Sequence, residues 1–303
     1  MKRPLLSCLA LFTTAILSMA ADDRKKPLIF VPVLPYEFVF EKIGGDLIEV
    51  HSIVGEGDDA HSYTPTPKQI MKLASADLIC SGALGFESNY FVKIKEGKNS
   101  LGEIDLLKSL ALLEGHCDHP SHFQDAEEAS ETGEHEHEHN HDDLKDPHVW
   151  LSVKTLTLQS KQIADVLKKL LPSDQGDEID ANLAAFQGEL EALDTKLKAT
   201  LESSKGKRFY VYHGAFAYFA QDYGLEQIAI ESGNRTPTPK HILEFVKQAE
   251  RDGVKLVFSQ PQFDQTSANV LAEAIGGKVA ILDPLEKDVF KNLEKIASAV
   301  AGK

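Results

Sequence analysis

Short continuous apolar runs alternate with stretches of helical periodicity along most of the chain. Leu28 to Leu34 is almost wholly aliphatic and reads as a buried strand, Tyr36 to Ile43 as a helix stopped by Gly44-Gly45, and Leu47 to Val54 as a second strand. Thr66 then offers an N-cap, with Pro67 in the first turn and Gln69 three residues after the cap, and Asp77 to Ser81 supplies a third strand. The same alternation returns from Lys207. It predicts strands at 208–212, 226–230, 255–259 and 279–282, separated by helices at 215–223, 239–251 and 268–275. Strands alternating with helices imply parallel sheets, so each half reads as an α/β lobe.

Between the halves lies a different pattern. Ile179, Leu183, Phe186, Leu190, Leu193, Leu197 and Leu201 recur at spacings of four and three, one apolar stripe on one helix from about Asp174 to Ser204. A helix of roughly thirty residues is about 45 Å long at 1.5 Å per residue, enough to run past both lobes. A coiled-coil seam would show the same stripe, but its place between two α/β halves favours packing within the chain. Two phrases occur in both halves: Thr64-Pro-Thr-Pro-Lys68 matches Thr236-Pro-Thr-Pro-Lys240, and Ile43-Gly44-Gly45 matches Ile275-Gly276-Gly277. Their order is reversed, which points to similar building blocks and not to a tandem repeat.

The first twenty residues stand apart from this pattern. Lys2 and Arg3 precede an apolar run from Leu5 to Leu17 that ends in Ser18-Met19-Ala20, the anatomy of a secretory signal peptide cut before Ala21. Lipid attachment at Cys8 is not expected, because the apolar region continues for about ten residues beyond it. The expected organisation is a signal at 1–20, an N-terminal lobe at 21–172, a connecting helix at 173–205 and a C-terminal lobe at 206–303. Loss of Lys2 and Arg3 takes the formal charge from −15 to −17, which argues against a nucleic-acid partner. Of the cysteines, Cys80 and Cys117 follow the signal; they could pair in an oxidising compartment, or Cys117 could be a free thiol or a metal ligand.

A composition break at 116–143 interrupts the N-terminal half. It holds seven histidines (His116, His119, His122, His135, His137, His139 and His141), ten acidic residues, and no Lys or Arg. So charged a stretch with so few aliphatic residues cannot build a core and reads as a disordered loop. A plain acidic insert would look similar. The alternation of His with Glu favours an auxiliary, weak metal-gathering loop, since imidazole is a preferred ligand of zinc, copper and nickel.

Outside that loop five histidines remain. His61 follows a flexible acidic loop after a strand, and His213 follows a strand directly before a helix. Both therefore sit at carboxyl ends of strands, the edge where open α/β sheets bind ligands. His148 lies in the stiff turn Asp146-Pro-His-Val-Trp-Leu151, and Asp283 ends the last strand. Three imidazoles and a carboxylate would suit tetrahedral zinc. His51, inside a strand, and His241, on a helix, read as structural or surface residues.

With those residues in view, the chain resembles the metal-specific cluster A-I solute-binding proteins that serve zinc, manganese and iron ABC importers, over essentially its whole length after the signal. Asp59-Ala-His61-Ser-Tyr63-Thr-Pro65-Thr-Pro67 looks like the family's first ligand motif, and Asp146-Pro-His148-Val-Trp150 like its second. His213-Gly-Ala-Phe-Ala-Tyr218 looks like its third, and Leu282-Asp283-Pro284-Leu285 like its fourth. The resemblance implies two lobes joined by a rigid long helix, with His61, His148, His213 and Asp283 as metal ligands in the cleft between them. It also implies no enzymatic activity, an ABC-type metal permease of the inner membrane as partner, a periplasmic location and a monomer. His213 at the third position, where manganese members tend to carry a carboxylate, favours Zn2+ over Mn2+ or Fe2+ as cargo. Ala60, where some zinc members carry an acidic residue, leaves Asp283 or a water as fourth ligand. The competing readings are a periplasmic metal buffer or adhesin without a transporter, and a secreted zinc enzyme, which would need a base that no His-Glu-x-x-His motif supplies.

Overall fold

The computed structural model describes residues 25–98, 100–115, 145–231 and 237–303. The expected signal peptide, the His-rich loop with its seven histidines, and Cys117 lie outside the described residues. None of the described helices is long and apolar enough to cross a membrane.

The first lobe runs β1 (Leu28–Val31), α1 (Leu34–Gly44), β2 (Glu49–Ser52), α2 (Pro67–Leu73), β3 (Leu78–Ser81), α3 (Glu87–Gly97) and β4 (Gly102–Asp105). Its strands form one parallel sheet in the order β2-β1-β3-β4. Next come α4 (Val153–Leu170) and the long helix α5 (Gly176–Leu201), which 3-10 turns at Ser173–Gln175 and Glu202–Ser204 extend at both ends. The second lobe comprises β5 (Arg208–His213), α6 (Ala217–Tyr223), β6 (Glu226–Glu231), α7 (Pro239–Arg251), β7 (Leu256–Ser259), α8 (Gln265–Ala274), β8 (Lys278–Ile281) and α9 (Val289–Ala301). Its sheet is again parallel, in the equivalent order β6-β5-β7-β8.

The expected strands are present: β1, β2, β3 and β7 are shorter than the pattern predicts, β5 and β6 each run one residue further, and β8 is displaced by one residue. β1 stops at Val31 because Pro32 has no N–H for the ladder, and Pro35 starts α1. The hydrophobic pattern does not predict α3, β4, α4 and α9. Of these, α4 buries Gln159 and Ser160 within its apolar stripe, which blurs the periodicity. Gln159 is fully buried because its amide donates to Tyr36 Oη at 2.7 Å and to the Leu106 carbonyl at 2.8 Å.

Each repeated phrase has a structural meaning. The two Thr-Pro-Thr-Pro-Lys segments lead into α2 and α7, the helices between the second and third strands of their lobes. Thr66 accepts the Gln69 N–H while the Gln69 amide oxygen accepts the Thr66 N–H, a complete capping box; Thr238 likewise accepts the His241 N–H. The Gly-Gly pairs serve different connections, one after α1 and one between α8 and β8, which is why their order differs. They share a positive φ, 52° at Gly45 and 60° at Gly276, that favours glycine.

The stripe on α5 packs against helices of the same chain: Ile179, Phe186, Leu190, Leu193, Leu197 and Leu201 are buried against α1, α4, α6 and α9. The Phe290 ring of α9 stacks on Phe186 at 5.6 Å and meets Phe38 of α1 edge-on at 5.4 Å. Lys287, just before α9, donates to Glu37 and Glu41 on α1 at 2.7 and 2.8 Å. One hydrophobic cluster therefore runs from β1 and β3 through α4 and α5 to β5 and α9. A second, smaller one lies around Tyr210, Phe245 and Leu271, between the second sheet and α7 and α8. The continuous core fixes the carboxyl edges of both sheets around a common space.

Candidate metal centre

Three of the sequence candidates meet in that space. His61 comes from the loop after β2, His148 from the turn before α4 and His213 from the last position of β5, and ligand nitrogens of all three lie within 4.8 Å of one another. The Nε2 atoms of His61 and His148 are 3.3 Å apart. Two nitrogens bound to one tetrahedral zinc at 2.0–2.1 Å would be separated by about 3.3–3.4 Å, so this pair already has the spacing such an ion needs. His213 Nε2 is buried and has no hydrogen-bond partner, leaving a lone pair whose desolvation an ion would offset.

The imidazoles are oriented from behind by carboxylates. His148 Nδ1–H donates to Asp146 Oδ1 at 2.7 Å, and the same oxygen accepts the His148 backbone N–H at 2.8 Å. His213 Nδ1–H donates to Glu231 Oε2 at 2.8 Å. This second contact follows from strand register, because His213 and Glu231 are partners in the β5–β6 ladder. An ionised carboxylate only accepts, so each Nδ1 carries the proton and each Nε2 presents its lone pair inward. Ring packing holds the same geometry: Phe263 stacks on His213 with centroids 4.9 Å apart, and Trp150 meets His148 edge-on at 5.3 Å. Trp150 is itself anchored by its indole N–H to the Pro284 carbonyl at 2.8 Å, a bond between the lobes.

His61 is held by its loop, its backbone N–H donating to Asp59 Oδ1 at 3.0 Å. Burial, followed by the neighbouring imidazoles of His148 and His213, pulls its pKa down to about 3. The ring is therefore neutral, as a metal ligand must be, across the ordinary pH range. The cavity bounded by the three rings, Leu84, Trp150, Gln262, Phe263 and Leu285 measures about 20 Å³. That is room for a water-sized occupant beside the three rings.

Asp283 lies beside this group but outside it. Its Oδ1 accepts the Gln262 side-chain amide at 2.8 Å and the Leu285 backbone N–H at 2.9 Å, while its own carbonyl accepts Asn292 Nδ2 at 2.7 Å. His51 stays on β2 against Glu49 at 2.9 Å, and His241 is exposed in the first turn of α7. Two supporting carboxylates carry little signal in the sequence. Asp146 appeared only as part of a motif, although its position two residues before His148 in a proline turn was the available signal. In the sequence Glu231 reads equally as a base, a ligand-orienting group or a loop brace, and only strand register shows it bonded to His213. With both carboxylates engaged behind the rings, neither faces the cavity as a general base.

Comparison with known proteins agrees with this geometry. The family model for ZnuA, the periplasmic component A of a zinc-uptake complex, matches residues 29–299. A protein of Chlamydia muridarum, provisionally named for metal binding, is 32% identical over 297 residues, covering 97% of this chain and 98% of its own. The crystal structure of ZnuA superposes with a TM-score of 0.79 at 32% identity, covering 92% of this chain and 99% of that one. A zinc-bound ZnuA lacking residues 138-173 of its own chain gives 0.78 at 32% identity, with 91% and 97% covered. A manganese-bound periplasmic metal-binding protein from Candidatus Liberibacter asiaticus shares the fold, with a TM-score of 0.72 at 20% identity, covering 91% of this chain and all of that one.

Proposed function

The chain belongs to the ZnuA family of periplasmic metal-binding proteins of ABC importers, and on that premise we propose that it captures Zn2+ in the periplasm and hands it to a metal permease in the inner membrane. His61, His148 and His213 are the protein ligands in this reading, and Asp283 or a water completes the tetrahedron. The observation that carries it is the convergence of three imidazoles, each able to turn a ring nitrogen toward the others, on a cavity with room for a water-sized occupant. A nitrogen-rich set favours zinc over manganese, which prefers more oxygen ligands and a higher coordination number.

The chain performs no covalent chemistry. Its residues strip water from the ion, replace that water with fixed nitrogens, and present the ion at the shared edge of two lobes. The signal at 1–20 would direct the protein across the membrane, and the loop at 116–143 would gather ions at sites weaker than the preorganised triad, because ordering a loop costs conformational entropy. That the zinc-bound ZnuA binds the ion without a stretch of its own chain is in keeping with a site carried by the folded lobes.

The test is a competitive zinc and manganese titration of protein lacking 116–143, with a His213→Ala version beside it. One tight zinc equivalent, weaker manganese and a large loss in the variant support the reading. Tight binding that disappears with the loop and ignores His213→Ala would make the protein a metal buffer instead.

A further inference from the structure

We propose that helix α6 clamps the turn that carries His148, with Tyr218 gripping one end and Asp222 the other, so that the segment leading out of His213 sets where His148 stands. This rests on the zinc-capture reading above and deepens it by naming two positioning residues, neither of which lines the cavity. β5 ends at His213 and α6 follows at once, beginning at Ala217. Tyr218 and Asp222 are one helical turn apart on it, so their side chains leave the same face. The Tyr218 hydroxyl is buried and donates to the Asp146 carbonyl at 2.8 Å. The Asp222 carboxylate, only 6% exposed, accepts the Ser152 hydroxyl at 2.6 Å. His148 lies in the chain between these two anchor points.

The carbonyl that Tyr218 holds belongs to the Asp146–Pro147 peptide. That peptide is planar and the proline ring fixes the next φ, so a displacement of the carbonyl is carried both to His148 and to the Asp146 carboxylate behind its ring. The same hydroxyl accepts the Leu113 N–H at 2.9 Å, while the Leu113 carbonyl accepts the Asp146 N–H at 3.0 Å. At the other anchor the Ser152 oxygen also accepts the Thr155 N–H at 3.2 Å, so Asp222 holds the cap of α4 together with the turn. The second oxygen of Asp222 pairs with Lys154 at 2.9 Å. These bonds cross between the lobes, as does that of Trp150 to Pro284, and the α6 pair ties the His148 turn directly to the segment that carries His213. Two ligands from different lobes thereby keep their spacing before any ion arrives, and such preorganisation is what a tight site requires.

The experiment compares the full mature chain with Tyr218→Phe, Asp222→Ala, Tyr223→Phe and His213→Ala. It measures the rates at which the His148 and His213 Nδ1–H protons exchange with water, by NMR of metal-free protein, and the zinc Kd by chelator competition. Tyr223 lies on the same helix but donates to Asp194 of α5, at 3.2 Å, so Tyr223→Phe controls for the loss of a hydroxyl that does not hold the turn. Tyr218→Phe should speed His148 exchange and weaken zinc by at least about tenfold each, with His213 exchange and the Tyr223→Phe protein both within about twofold of the parent. Asp222→Ala should act in the same direction at His148 and spare His213. The inference is overturned if a folded Tyr218→Phe leaves His148 exchange and zinc affinity within about twofold of the parent. It is equally overturned if both histidines respond alike or if Tyr223→Phe has the same effect, since either result marks a general loosening of the fold. If Tyr218→Phe does not fold, Asp222→Ala decides by the same readings. Tight zinc binding that survives His213→Ala would overturn the zinc-capture reading and not the clamp, which the exchange rates test without metal.

Discussion

Replacing Glu231 by alanine tests whether the triad depends on the groups behind it. Glu231 Oε2 lies 2.8 Å from His213 Nδ1, and the two side chains are only 10% and 9% exposed, so water cannot easily take over the bond. Without the carboxylate the His213 ring loses the restraint that fixes its tautomer, and its Nε2 spends part of its time protonated or turned from the ion. Removing such a supporting group usually lowers metal affinity by about 10–100-fold, or roughly 1.4–2.7 kcal/mol. Glu231→Gln should cost less, since its amide oxygen still accepts the Nδ1–H and only the charge is lost. The assay is chelator competition for zinc near neutral pH, with circular dichroism of the metal-free protein to confirm folding. A folded Glu231→Ala protein that binds zinc within about twofold of the parent would refute the reasoning, because the carboxylate would then have no part in presenting His213.

Two further predictions concern the scaffold. Burial raises the Glu87 carboxyl to about 7, against an opposing contribution from the Gly82 N–H that it accepts at 2.9 Å. Because the folded protein holds that proton more tightly than the unfolded chain, this contribution to stability is complete below about 4.5 and is lost as pH rises through 7. Urea denaturation of metal-free protein across that window should show Glu87→Gln lacking this decline; parallel pH profiles for the two proteins would contradict the assignment. Phe186→Ala removes the ring stacked between α5 and α9 and should cost about 3–5 kcal/mol by chemical denaturation, and a loss below about 1 kcal/mol would mean that the helix stripe does not tie the lobes together.

The fold class, the alternation of strands and helices, the Thr66 cap and the long apolar stripe of α5 were all present in the sequence, because each depends on neighbours within one or two turns or along one strand. Periodicity is local, and so are capping and the break at a proline. The carboxyl-end positions of His61 and His213 were legible for the same reason, since strand direction follows from the order of elements. Local order could not show that α5 and α9 lock two sheets together through Phe186, Phe290 and Phe38, nor that Glu231 stands beside His213, which requires the β5–β6 register. It placed Asp283 with the histidines by its strand-end position and its motif, whereas the folded chain ties that carboxylate to Gln262 and Leu285, residues from two separate loops. Which atoms meet across the cleft is set by how two lobes pack on a shared core, and that information is spread over residues nearly the length of the chain apart. The sequence by itself determined the kinds of groups available and the edge they occupy; only the tertiary structure decided which of them share one small cavity and which hold the others in place.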